Sequence, residues 1–240
     1  MLNTPRSLTD ILDDAAILSL EHQIHLSEVV GEHDWRVDLQ NPVFEFTGER
    51  SLTCERFHLL GSAAPGPGSW MWAWANPSGF PAELTGFSAR VRDLGHQYGI
   101  AELSDPEVPF DALPHASGEP VMAAAVLAEA AKVLTGSWTS YTGDAGGGTR
   151  VAFLIEHPAF LLPPPSPART MRLLHQSLAE LPLSDHRRAL HGYAAMRGLD
   201  PVFDAEGRRL SFGARDFGVT VDFDDSHRVA SINGTVPAGG

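Results

Sequence analysis

The chain has 240 residues, 43% of them hydrophobic, enough to bury the core of one large domain or two small ones. A net charge of -13 at pH 7 excludes nucleic acid as an expected partner, because such binding relies on Lys and Arg displacing condensed counterions. The single cysteine, Cys54, rules out an internal disulfide and reads as a small buried hydrophobe rather than a nucleophile.

The charge is uneven. Residues 1–162 hold 21 acids and 8 bases, whereas 163–240 hold nine of each. Only Lys132 accompanies sixteen Arg, a bias that fits a GC-rich coding sequence. Residues 1–14 lack the basic start and apolar run of a signal peptide. The stretch 57–82 contains no Asp, Glu, Lys or Arg, but Pro65, Pro67, Pro77 and Pro81 break it as a membrane span. The expectation is a soluble, cytoplasmic protein that does not enter the membrane.

In chain order, Ser7 or Thr9 can cap a first helix reaching Val30, with Gly31 beyond its stop. Leu8, Ile11, Leu12, Ala15, Leu18, Leu26, Val29 and Val30 share one face of it. Asp10, Asp14, Glu21, His25 and Glu28 form an acidic stripe, read as solvated, and His22 lies within the apolar face. Alternation then predicts strands at 35–39, 43–46, 57–60 and 70–75, an antiparallel meander. Helical spacing returns at 82–98 and, from Pro120 at a first helical position, at 120–134. Strands at 138–141 and 150–155 flank a Gly-rich loop, 143–148. Five prolines in 158–167 mark a linker. Helices at 168–180 and 185–197 and a small meander complete the chain. The fold class is α+β: an antiparallel, curved sheet packed by helices over 1–157, then a smaller helix-plus-meander unit over 168–240.

The most distinctive run is Trp70-Met-Trp-Ala-Trp-Ala-Asn-Pro77. As a strand it puts Trp70, Trp72, Trp74 and Asn76 on one face, either as core or as an aromatic groove for a ligand. With the acidic first helix and Trp35-Arg-Val-Asp38 before it, and an Ala-rich helix and Gly-rich hairpin after it, this run resembles an uncharacterised bacterial family of unknown function over residues 8–157. The resemblance implies a shared fold and carries no activity.

His22 and His25 are three apart, which is not the spacing of a His-Glu-x-x-His zinc helix. His175, His186 and His191 lack a thiolate or clustered carboxylates, and Asp222-Phe-Asp-Asp225 lacks the glycine and glutamate of a calcium loop. No nucleophile elbow or phosphate-binding glycine loop occurs, so no metal or cofactor is expected. Two function classes remain. One is a non-catalytic module whose acidic domain, through residues such as Glu21 and Glu28, docks a basic protein in the manner of an immunity protein or inhibitor. The other is an enzyme binding a small molecule under the first helix, with Trp70, Trp72, Trp74 and Asn76 as ligand contacts and His22 or Glu21 moving a proton.

Overall fold

The computed structural model describes residues 4–54 and 56–236. The outermost residues of the expected 1–157 and 168–240 domains, 1–3 and 237–240, lie outside these. Among the described residues the fold is α+β, with six α-helices and three antiparallel sheets, none of them curled. The curvature expected of the main sheet is therefore absent.

Two compact units divide the chain. One comprises 22–162 with 5–8; the other joins Thr9–Glu21 to the chain from Pro163 onward. Helix α1 (Leu8–Val30) thus contributes its first half to one unit and its second half to the other.

In the unit of 22–162, β1 (His33–Asp38), β2 (Val43–Gly48) and β3 (Leu52–Cys54) make a three-stranded sheet. A second sheet has the order β6-β5-β4-β8-β7, built from β4 (Arg56–Ala64), β5 (Ser69–Trp72), β6 (Glu107–Pro109), β7 (Ser140–Asp144) and β8 (Arg150–Glu156). The single meander expected from 35 to 75 is therefore split between two sheets. Helices α2 (Ala82–Tyr98), α3 (Ala101–Ser104) and α4 (Pro120–Thr135) complete this unit. Gly99 and Gly136 end α2 and α4 with φ of 69° and 78°, where an L side chain would be strained.

The core is aromatic. Phe44, Phe46 and Phe153 are buried and meet Tyr141 or Trp35 at centroid separations of 5.1–6.2 Å, mostly edge-on or tilted, and buried Phe57 meets Phe44 and Phe153 at 6.0 Å. Gly143, expected in the loop, is instead a β7 residue: the Trp35 indole occupies the space a Cβ would need. Cys54 is fully buried in this cluster, and burial pushes its thiol up to about 12.

The tryptophan run does not stay extended. Strand β5 ends at Trp72, and Ala73–Ala75 turns as a 3-10 helix, so Trp74 and Asn76 leave the face of Trp70 and Trp72. Trp70 and Trp72 are fully buried, edge to face at 5.3 Å, and Trp72 donates its N–H to the Glu102 carbonyl at 3.1 Å. Trp70 lies over Gly61, whose missing side chain makes the room. Trp74 is half-buried beneath the Arg92 guanidinium, 5.2 Å from the ring centre.

In the other unit, α5 (Pro167–Glu180), α6 (His186–Met196) and the first half of α1 accompany a four-stranded meander, β9 (Val202–Phe203) to β12 (Val229–Thr235), through β10 (Arg209–Ala214) and β11 (Phe217–Phe223). The acids of the first half of α1 are not a solvated stripe, although Glu28 is exposed. Asp13, Asp14 and Glu21 are buried. Asp13 accepts the backbone N–H groups of Ser184 and Asp185, both at 2.9 Å. Arg188 donates to the Asp10 carbonyl at 2.9 Å and to the Asp14 carboxylate at 2.5 Å. Arg197 pairs with Glu21 at 3.0 Å and donates to the Pro163 carbonyl at 2.8 Å. Burial raises the pKa of Asp13 and of Asp14, with Arg188 opposing the rise in both. Asp185 caps α6, accepting from the Arg188 N–H.

Three outcomes follow for measurement. Trp72→Ala should lower the unfolding free energy by about 3–5 kcal/mol in urea titrations, the cost of emptying a buried indole site; a midpoint close to the parent's contradicts the core placement. Glu21→Lys sets a cation against Arg197 and should destabilise by about 3–5 kcal/mol, whereas Glu28→Lys, at a side chain 52% exposed, should stay within about 0.5 kcal/mol. Cys54 should react with thiol reagents only as fast as the protein unfolds, since both burial and its high pKa withhold the thiolate; rapid labelling of the native chain would refute this.

Candidate functional site

A cleft of about 790 Å³ opens within the unit of 22–162. It is built where several elements end: the second half of α1 gives His22, β3 gives Thr53, β4 begins at Arg56, α2 presents Phe87, and β8 ends at Glu156. The end of α4 and its connection to β7 supply Thr135 to Thr139, and the turn after β8 supplies His157, Pro158, Phe160 and Leu161.

The 135–139 connection is held at several points. Thr135 Oγ1 donates to the Ala131 carbonyl at 2.7 Å and accepts from the Ser137 N–H at 3.3 Å. The Thr139 carbonyl accepts from the Ile155 N–H at 2.9 Å. Trp138 is thereby presented half-buried, with its indole nearly parallel to the His22 ring, the planes 19° apart and the centres 6.1 Å apart. Thr139 Oγ1 lies 3.5 Å from His22 Nδ1. His157 Nδ1 accepts the Ala159 N–H at 3.1 Å, and His25 Nε2 donates to the Ala159 carbonyl at 3.1 Å, so two imidazoles fix the turn that forms this wall.

Charge enters on the opposite strand pair. Arg56 and Glu156 face each other across β4 and β8 and pair at 3.2 Å. Glu156 also lies 3.4 Å from the His58 ring, which stacks on Phe87 at 3.6 Å. Burial holds the pKa of His58 below its ordinary value, and Glu156 partly offsets this. The cleft thus combines apolar walls with hydroxyls, two imidazoles and one neutralised ion pair. That set can stack a ring, exchange hydrogen bonds and move a proton through His22, His157 or Glu156.

Of the residues expected to act, only His22 lines the cleft. Glu21 does not, being engaged by Arg197, and Glu28 is exposed near His25 at 3.7 Å. Trp70, Trp72, Trp74 and Asn76 are absent from the lining. Trp138, Thr139, Glu156 and His157 were not singled out from sequence; the only local signal is an aromatic residue just past a helix-ending glycine and a His-Pro step after a strand. Among the described residues no group of three or more His, Cys, Asp or Glu is placed to hold a metal ion, and no helix is long and apolar enough to cross a membrane.

No curated protein and no solved structure matches the chain. A model of a family of unknown function (DUF6882) matches residues 9–158, a span that contains most of the cleft, and the chain belongs to that family.

Proposed function

We propose that the DUF6882 domain of this protein binds a small, ring-bearing molecule in the cleft beside His22 and Trp138. The observation that carries this reading is the cleft itself: about 790 Å³, within the ordinary range of ligand sites, about 300–1,000 Å³, with apolar walls and convergent hydroxyls, imidazoles and one ion pair. Trp138 supplies a stacking face, and Thr139, Ser137 and His157 supply hydrogen bonding. Proton transfer would fall to His22 or Glu156, the β8 carboxylate taking the place expected of Glu21.

A basic protein partner is the second reading, favoured by the 17 acids and seven bases of residues 22–162. Such a partner would meet Glu28 and the acids of that unit, not Glu21. Its association should slow as salt shortens the Debye length from about 30 Å at 0.01 M to about 8 Å at physiological strength.

The test of the cleft is a thermal-shift and tryptophan-fluorescence screen of the intact chain against small aromatic and heteroaromatic compounds, with hits repeated on Trp138→Ala and Thr139→Val. We expect saturable binding weakened at least about tenfold by Trp138→Ala, the loss of one well-stacked contact. Hits that bind the variant equally well, or a screen with no saturable hit, would overturn the cleft reading.

A further inference from the structure

A cluster in the C-terminal unit lies outside both the family match, which ends at residue 158, and the cleft. Two His-Arg dipeptides face each other there. His186 and Arg187 open α6, and His227 and Arg228 lie in the turn between β11 and β12. Their contacts cross: Arg187 Nη1 is 3.5 Å from His227 Nδ1, and Arg228 Nη1 is 3.0 Å from His186 Nε2. The Val229 backbone N–H points at His186 Nδ1 from 3.3 Å.

This arrangement has more donors than acceptors. A neutral imidazole has one N–H and one lone pair, and a guanidinium has no acceptor. Whichever His186 nitrogen carries the proton, one ring N–H therefore faces another donor. The tautomer that accepts from Val229 sets Nε2–H beside the Arg228 guanidinium, and a second proton would make both contacts repulsive. Burial, and then Arg228, hold the pKa of His186 below its ordinary value, in keeping with a neutral ring.

Neither arginine has a carboxylate within ion-pair distance among the described residues. Among the described residues no ion pair involves Arg187 or Arg228, in contrast to Arg188, Arg197, Arg208 and Arg209. Arg187 lies over the Phe203 ring at 4.8 Å, and its buried Nε has no hydrogen-bond partner. The neighbouring acids are committed elsewhere: Asp185 caps α6, Asp224 accepts the N–H groups of Ser226 and Arg228, and Asp225 pairs with Arg208 at 2.6 Å.

We propose that His186, Arg187, His227 and Arg228 form a binding site for a phosphoryl group. One oxygen accepts from His186 Nε2–H and Arg228 together, replacing the donor–donor contact with two charge-assisted hydrogen bonds, and a second oxygen accepts from Arg187. A tetrahedral group with three free oxygens serves donors arriving from two opposed segments, which a planar carboxylate does less well.

The experiment is a titration of the full chain with inorganic phosphate, and separately with phenyl phosphate, at constant ionic strength, following the histidine ring resonances by NMR. We expect saturable shifts of His186 and His227, a rise in the apparent pKa of His186 with bound phosphate, and at least about tenfold weaker binding in the Arg187→Gln/Arg228→Gln double variant. Saturation by both ligands assigns the site to the phosphoryl group itself, and saturation by phenyl phosphate alone assigns it to phosphate monoesters. The NMR spectrum of the double variant outside the cluster reports its fold, and Arg187→Lys/Arg228→Lys, which keeps the charge, should retain intermediate affinity. The proposal is overturned by shifts that do not saturate, by equal binding to the Gln double variant, or by acetate producing the same shifts as phosphate.

Discussion

Three carboxylates buried on one helix are the constraint around which the C-terminal unit is organised. An isolated carboxylate removed from water costs several kcal/mol even after relaxation, so Asp13, Asp14 and Glu21 require compensation from elsewhere in the chain. The compensation differs for each: two backbone N–H groups for Asp13, Arg188 for Asp14, Arg197 for Glu21. The backbone amides, Arg188 and Arg197 lie in residues 184–197, more than 160 positions away, and Arg169 adds a second cation 3.9 Å from Glu21. The same contacts set the start of α6. Asp13 fixes the amides of Ser184 and Asp185, Asp185 caps the helix, and Arg188 returns to Asp10 and Asp14. His186 and Arg187 are therefore presented from a helix start held on both sides, the kind of support that a preorganised binding group requires.

In the unit of 22–162 the positioning is done by aromatic packing. Trp35 crosses β7 at Gly143, and Tyr141 and Phe153 meet Phe44 from the five-stranded sheet. These contacts tie the three-stranded sheet to β7 and β8, whose ends provide Thr139, Glu156 and His157. The cleft sits where rigid strands stop, so its polar groups come from short, anchored connections rather than from long loops.

Much of this architecture is legible in the sequence, because helices and strands announce themselves through local periodicity. Helices α1, α2 and α4, their glycine stops, and the C-terminal meander follow from the 3.6- and 2-residue patterns. Two departures share a physical cause. The run from Trp70 to Asn76 alternates like a strand, but alternation does not say where pairing ends: β6 pairs only Ser69–Met71 of β5, and the chain turns at Ala73 ahead of Asn76-Pro77. The acidic stripe of α1 looks solvated on a helical wheel because a wheel assumes one buried face. This helix is buried on several, and the arginines that make that possible lie at the far end of the chain. The same distance hid the cluster of His186, Arg187, His227 and Arg228, whose only sequence trace is a repeated His-Arg dipeptide 41 positions apart. The pattern places Trp138 at the start of a strand at 138–141, whereas β7 begins at Ser140 and leaves Trp138 in the connection from α4.

Electrostatics separates the two proposed sites by the ligands they would admit. In the cleft, Arg56 and Glu156 cancel, and burial keeps His58 from adding a cation near neutral pH. The surrounding residues 22–162 carry ten more acids than bases. Their summed field raises the local concentration of cations and lowers that of anions, so a neutral or cationic ring enters such a cleft more readily than a phosphorylated one. Residues 163–240 hold equal numbers of acids and bases, and their carboxylates at 185, 224 and 225 are drawn into caps, turns and the pair with Arg208. The α1 acids at 10, 13, 14 and 21 add to that unit's negative charge, and Asp185 and Asp224 act on His186, but an anion at Arg187 and Arg228 gains two guanidinium forks at close range. Net charge alone would assign this protein a single preference, for basic partners. The distribution of that charge allows a cleft selective against anions and a surface site selective for them in the same chain.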